Sequence, residues 1–135
     1  MNKFIFAALA MLLVSPACNK DDQSDIDRRL IEDYLAQKNL TATEHDSGIF
    51  YNIETPGQGG SPTLQDSVKV KYKAAYLDGV VLDQTTGSES ATFLLGNLIE
   101  GWQICIPLLQ KGGKGLFLIP SGLAYGPYPP FGVRP

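Results

Sequence analysis

The heptapeptide Val68-Lys69-Val70-Lys71-Tyr72-Lys73-Ala74 alternates apolar and basic side chains without interruption. A period of two is the signature of a strand with one covered and one wet face, because a helix would scatter the three lysines around its axis. Such clean alternation belongs to an antiparallel sheet covered on one side. Downstream, Leu77-Asp78-Gly79-Val80 carries a D-G turn signal into a strand over Val80–Asp83. Thr85–Ser90 reads as loop and Thr92–Leu95 as a strand closed by Gly96-Asn97. Ile99–Gln110 reads as a short helix with Trp102, Cys105, Ile106 and Leu109 on one side, and Pro107 inside it predicts a kink or a late start. Gly112-Gly113 ends it, and Lys114–Ile119 forms a last apolar strand.

Upstream, Gln58–Gln65 is a Gly- and Pro-containing loop, preceded by a strand in which Ile49, Tyr51 and Ile53 point one way before Thr55-Pro56-Gly57. Before that the period is helical: Ile26, Leu30, Ile31, Tyr34 and Leu35 recur on one stripe over residues 25–38. Ser24 and Asp27 form an S-x-x-D start signal, and Asn39 is a natural stop. The stripe suits packing on the domain, with dimerisation as the alternative. Strands dominate, so the fold class is an antiparallel α+β domain with an N-terminal amphipathic helix.

Composition narrows the function. The chain has 135 residues, enough for one core rather than two. Eleven basic against 14 acidic residues, a net charge of −3, leave no basic footprint for nucleic acid. One His and two Cys are too few for a zinc site of the usual ligand types or for a disulfide scaffold.

The N-terminus reads as an address. Met1-Asn2-Lys3 precedes an apolar run of 11 residues, Phe4–Val14, too short to span the roughly 30 Å of a bilayer core. Ser15-Pro16-Ala17-Cys18 resembles a bacterial lipoprotein processing site, although Ser15 stands where Leu is usual. Residues 1–17 are then a signal peptide, Cys18 is lipidated, and residues 18–24 form a tether. The protein would be anchored to a membrane of the cell envelope, outer membrane included, on its periplasmic or surface face. The alternative is an ordinary secretory peptide cut near Ala17, with Cys18 left as a thiol.

No nucleophile meets a base in this sequence. A Cys–His pair would need Cys105 and His45, the only His, and Cys105 falls on the apolar side of a helix. Gly57-Gln58-Gly59-Gly60 lacks the lysine and helix of a phosphate loop. Aromatic and aliphatic side chains instead gather near turns: Tyr72, Phe93, Ile99, Trp102, Tyr125 and Phe131, with Asp83 among them. These fit a small-ligand pocket or, more plainly, a core.

Several segments together resemble one family. Val68-Lys69-Val70-Lys71-Tyr72, Leu77-Asp78-Gly79 with Asp83, Phe93-Leu94-Leu95-Gly96, Ile99-Glu100-Gly101-Trp102, Gly112-Gly113-Lys114, Ile119-Pro120-Ser121 and Leu123-Ala124-Tyr125-Gly126 are similar in order and spacing to the FKBP-type peptidyl-prolyl cis-trans isomerases. The resemblance runs from about Gly48 to Pro135, so residues 48–135 would be the isomerase domain and 25–47 a helix and linker before it. It implies a twisted antiparallel half-barrel wrapped around one short helix.

It also implies a site. Trp102 would lie beneath a substrate proline ring, with Tyr72, Phe93, Leu98 and Ile99 as walls. Tyr125 would donate a hydrogen bond to a substrate or macrolide carbonyl, Asp83 would face the twisted amide, and Val133 would belong to a loop closing over the ligand. Tyr72, Asp83, Trp102 and Tyr125 are thus the implied catalytic set. The implied partners are proline-containing unfolded or partly folded proteins and macrolide inhibitors, with no cofactor. The sequence departs from the family at Leu82, where an aromatic normally precedes the Asp and which would line the substrate site, at Ala91, usually aromatic, and at Ala74, usually Gly. The family also continues beyond the position of Pro135 into a central strand, so the resemblance implies a C-terminally incomplete domain. Two other readings stand beside the enzyme: a non-catalytic module holding proline segments, and an inactive fragment.

Overall fold

The computed structural model describes residues 22–126, 130 and 132–134. The leader, Cys18 and Phe131 lie outside the described residues. The elements run α1 (Gln23–Lys38), β1 (Thr43–Glu44), β2 (Phe50–Thr55), β3 (Ser67–Val70), β4 (Lys73–Ala75), β5 (Val81–Gln84), β6 (Ala91–Leu94), α2 (Glu100–Cys105) and β7 (Lys114–Leu118), with short 3₁₀ turns at Leu95–Asn97, Ile106–Leu108 and Ser121–Leu123. All pairings are antiparallel: β1 with β2, β2 with β7, β3 with β6 and β4 with β5.

The alternation that decides the fold holds side chain by side chain. Val68, Val70, Tyr72 and Ala74 are turned inward, while Lys69, Lys71 and Lys73 are exposed. The segment is nevertheless two strands, a departure from the single strand expected. After Val70 the chain leaves its partner β6, and at Lys73 it joins β5 instead. The crossing residue Tyr72 is held by Thr85: the Tyr72 N–H reaches Thr85 Oγ1 at 3.1 Å, and the Thr85 N–H reaches the Tyr72 carbonyl at 3.0 Å. Those bonds satisfy a backbone that has no ladder partner at that point. The Asp78-Gly79 turn closes β4 onto β5 as expected. Gly79 takes φ 88°, and Asp78 Oδ1 accepts the Val80 N–H at 3.0 Å.

The N-terminal helix begins two residues before the expected start, so Gln23 and Ser24 are helical rather than tether. Asp22 precedes it without a side-chain cap, so Ser24 is not the cap. Ser24 is already the second residue of the helix and so cannot cap it, and Asp27 Oδ2 accepts from Ser121 instead. Asn39 ends the helix in the left-handed conformation, φ 53°, as the sequence suggests. The buried stripe is Asp27, Ile31 and Leu35, whereas Ile26 and Leu30 are exposed.

Ile31 and Leu35 pack on the Phe50–Leu118 cross-strand pair, with Tyr34 and Ala42 at the margin. Each such side chain contributes about 1.5–3 kcal/mol when fully buried. This explains why both Ile49 and Phe50 are buried, where a sheet with one wet face would bury alternate residues. α1 covers one face of β2–β7, and the rest of the core covers the other. Residues 43–44 pair with Tyr51 and Phe50 and so are strand rather than linker, and Arg28 of α1 reaches Glu44 there at 2.8 Å.

The second helix is shorter than its apolar pattern. Pro107 has no N–H for the Gln103 carbonyl, so α2 stops at Cys105 and tightens into the Ile106–Leu108 turn. The strand signal at 114–119 is observed as β7.

Candidate functional site

β6, the β4–β5 hairpin, α1, α2, β7 and the loop after β7 line a cavity of about 460 Å³. Tyr72, Leu82, Asp83, Phe93, Leu98, Ile99, Trp102 and Tyr125 all line it. Each comes from a different local cause. Phe93 lies on the inward side of β6, opposite Val68. Asp83 is registered against Ala74 across the hairpin. Trp102 sits on the first turn of α2, where Gln103 Nε2 fixes the approach by donating to the Leu98 carbonyl at 2.8 Å and the Gly96 carbonyl at 3.2 Å.

Three rings form the walls. Tyr72 and Trp102 have centroids 5.0 Å apart at 85°, Tyr72 and Phe93 6.0 Å at 67°, and Phe93 and Trp102 6.1 Å at 88°. Every contact is edge-to-face, the arrangement that places positive ring edges on negative ring faces.

The polar groups sit at the rim. Tyr72 donates its hydroxyl to Asp83 Oδ2, and the Gln84 N–H donates to Asp83 Oδ1 at 2.8 Å. Both carboxylate oxygens are therefore engaged, which fixes the plane of the carboxylate. The bond to Asp83, followed by burial, pushes the Tyr72 phenol up from 10.0 to about 12. Tyr125 is 39% exposed and stands on the loop that leaves the Ser121–Leu123 turn.

Residues that the sequence reading did not assign to the site extend the cavity. Asp27, Leu30 and Ile31 of α1, Tyr76 and Leu77 of the hairpin, and Arg134 also line it. Val133 does not: its N–H bonds to the Pro130 carbonyl, and the neighbouring exposed Arg134 lines the cavity instead. The Arg134 guanidinium lies 4.0 Å over the Tyr76 ring and reaches the Asp78 carboxylate at 2.9 and 3.1 Å. Only the pairing of an aromatic at 76 with an acid at 78 hints at this in sequence, and the partner lies 56 residues away.

Covalent chemistry finds no foothold among the described residues. Cys105 is 2% exposed, and burial pushes its thiol to about 12. His45 is engaged with Ser47 in its own turn and does not line the cavity. No cluster of metal-binding side chains occurs among the described residues.

The family model described as FKBP-type peptidyl-prolyl cis-trans isomerase matches residues 59–132. The FKBP-type peptidyl-prolyl cis-trans isomerase FkpA of Aeromonas hydrophila is 39% identical over 100 residues, which cover 70% of this chain and 37% of that protein. The outer membrane protein MIP of Legionella longbeachae is 37% identical over 82 residues, 60% of this chain and 35% of that one. The chain thus spans about a third of the length of these curated relatives. The crystal structure of FkpA from Escherichia coli superposes with a TM-score of 0.72 at 30% identity, covering 84% of this chain and 55% of the other. A match over more than half of the sequence, on a fold shared with a solved member, shows that the chain belongs to the family of FKBP-type peptidyl-prolyl cis-trans isomerases.

Proposed function

We propose that this protein catalyses rotation about X–Pro peptide bonds in proteins of the cell envelope, using a preformed apolar cavity and no covalent step. The observation that carries the reading is the edge-to-face triad of Tyr72, Phe93 and Trp102 beneath a rim of oriented polar groups. Rotation must break amide resonance, a barrier of about 18–20 kcal/mol, and requires neither nucleophile nor proton donor. The planar amide is the more polar form. An apolar cavity that strips its water therefore raises the planar state relative to the twisted one.

In this reading the proline ring rests on Trp102, between Tyr72 and Phe93, with Leu82, Leu98 and Ile99 closing the sides. Tyr125 donates to the carbonyl flanking the bond, and that anchor holds the segment while the amide turns. Asp83 faces the twisting amide as a fixed dipole and charge, held by Tyr72. Leu82 offers a flexible aliphatic wall where a ring would be rigid. A macrolide carrying a proline-like ring would compete for the same space.

We place the protein at the envelope. The leader at residues 1–17 supports export, Cys18 supports lipid anchoring, and the name of the Legionella relative supports the membrane setting. Uncatalysed X–Pro exchange takes tens to hundreds of seconds, slow enough to limit folding of an exported client. The test is cis–trans exchange of a short X–Pro peptide, followed by NMR with and without the purified protein and a macrolide. Inhibitable acceleration is expected. Peptide binding without acceleration would instead establish a non-catalytic proline-binding module.

A further inference from the structure

The structure assigns Asp27, on α1, as a positioning residue for the Tyr125 loop. The inference rests on the isomerase reading for its kinetics but not for its mechanics. Asp27 is the buried charged side chain among the described residues, 9% exposed. Its Oδ2 accepts the Ser121 N–H at 2.8 Å and the Ser121 hydroxyl at 2.6 Å, and its Oδ1 accepts Gln23 Nε2 at 2.8 Å. Asp27 and Ser121 both line the cavity, although they are 94 residues apart.

Docking a helix does not call for this arrangement. Ile31 and Leu35 already seat α1 on β2–β7, and an apolar residue at 27 would seat it as well, since burying a carboxylate carries a desolvation cost. What the carboxylate adds is direction. Two donors on one residue fix both the backbone and the side chain of Ser121. Ser121 in turn organises the loop: its carbonyl accepts the Ala124 N–H at 3.0 Å and the Gly126 N–H at 2.9 Å, the two residues flanking Tyr125. The chain of contacts therefore runs from α1 through Ser121 to the phenol that would hold the substrate carbonyl. α1 lies outside the 59–132 span matched to the family, so here the family's loop is held from a preceding helix.

The test is a double-mutant cycle between Asp27→Asn and Tyr125→Phe, with exposed Asp33→Asn on the same helix as control. Asp27→Asn should lower kcat/KM for an X–Pro peptide by about tenfold, the order expected when a charge-assisted hydrogen bond is lost. It should add nothing further in the Tyr125→Phe background, while lowering Tm equally in both. Equal kinetic losses in the two backgrounds, or a Tm loss with unchanged kinetics, would overturn the assignment. If Asp27→Asn does not fold, Ser121→Ala removes one of the two donors and is held to the same criteria. Should the wild-type protein lack isomerase activity, the isomerase reading fails separately. Amide exchange then decides the mechanical link: selective acceleration at Ala124 and Gly126, with β3 and β6 unchanged, supports it. Unchanged protection at those two amides refutes it.

Discussion

Gly101 offers the sharpest test of how the cavity is built. It is buried on α2 immediately before Trp102, and its backbone is what the loop after β7 rests on. A Cβ added there would stand 2.5 Å from Ile119 Cγ2, 3.0 Å from Ile119 Cδ1 and 3.1 Å from the Leu123 carbonyl oxygen. Ile119 is β-branched and half-buried, so its methyl cannot simply rotate aside. The carbonyl is backbone, and the Leu123 N–H is tied to the Pro120 carbonyl at 3.0 Å. Overpacking of this kind costs about 1–3 kcal/mol. Alanine recovers up to about 1 kcal/mol over glycine in a helix. Because a Cβ at 2.5 Å forces a shift, the cost lies at the upper end of that range, and the net expectation for Gly101→Ala is a loss of about 2 kcal/mol, or roughly 6–12 °C in Tm for a domain of this size. Relief comes by moving α2 away from the loop, which separates Trp102 from Tyr125, so X–Pro turnover should fall further than stability alone accounts for. Thermal melts and peptide exchange rates measure the two effects. Gly122→Ala is the control, because nothing lies within 4 Å of the methyl it would gain and its effect should stay within about 0.5 kcal/mol. A Gly101→Ala protein as stable and as active as the parent would refute the close packing of α2 on the loop.

Three further outcomes follow from the same geometry. Trp102 is the only tryptophan, so its emission should shift on adding an X–Pro peptide, and Trp102→Ala should abolish turnover while leaving a cooperative melt. For Asp83→Asn, ultraviolet titration should show one phenol returning from about 12 toward 10.0. The sign is that of a raised acid: the Tyr72–Asp83 contribution to stability is present below pH 10 and is lost as pH rises through 12, so the variant should lose stability at neutral pH and show a shallower alkaline decline. Cys105, buried with its thiol raised to about 12, should resist alkylation in the folded protein at pH 8 and react fully in denaturant.

Local chemistry made much of this fold legible. Alternating lysines marked the inward face from Val68 to Ala74, Asp78-Gly79 marked the hairpin, and Asn39 marked the helix stop. The change of partner at Tyr72 was not legible, since alternation reports which way a side chain faces and says nothing about which strand lies beside it. Asp27 was misread for a related reason. An acid in the first turn of a helix has an adequate local explanation, and its actual partner at Ser121 is separated by most of the chain. Arg134 escaped because its value lies in a ring and a carboxylate brought up by the hairpin. Within the aromatic set, the rings that line the cavity are also the ones a plain core would have used, and the open space beside them distinguishes the two.

The pairing of Phe50 with Leu118 joins residues 68 positions apart, and α1 needs both to cover its apolar side. In a chain made from its N-terminus, Ile31, Leu35 and Phe50 are finished long before their partner exists. At 5–20 residues per second the wait is about 3–14 s. Throughout it, a helix face and a strand edge stay open to any passing holdase.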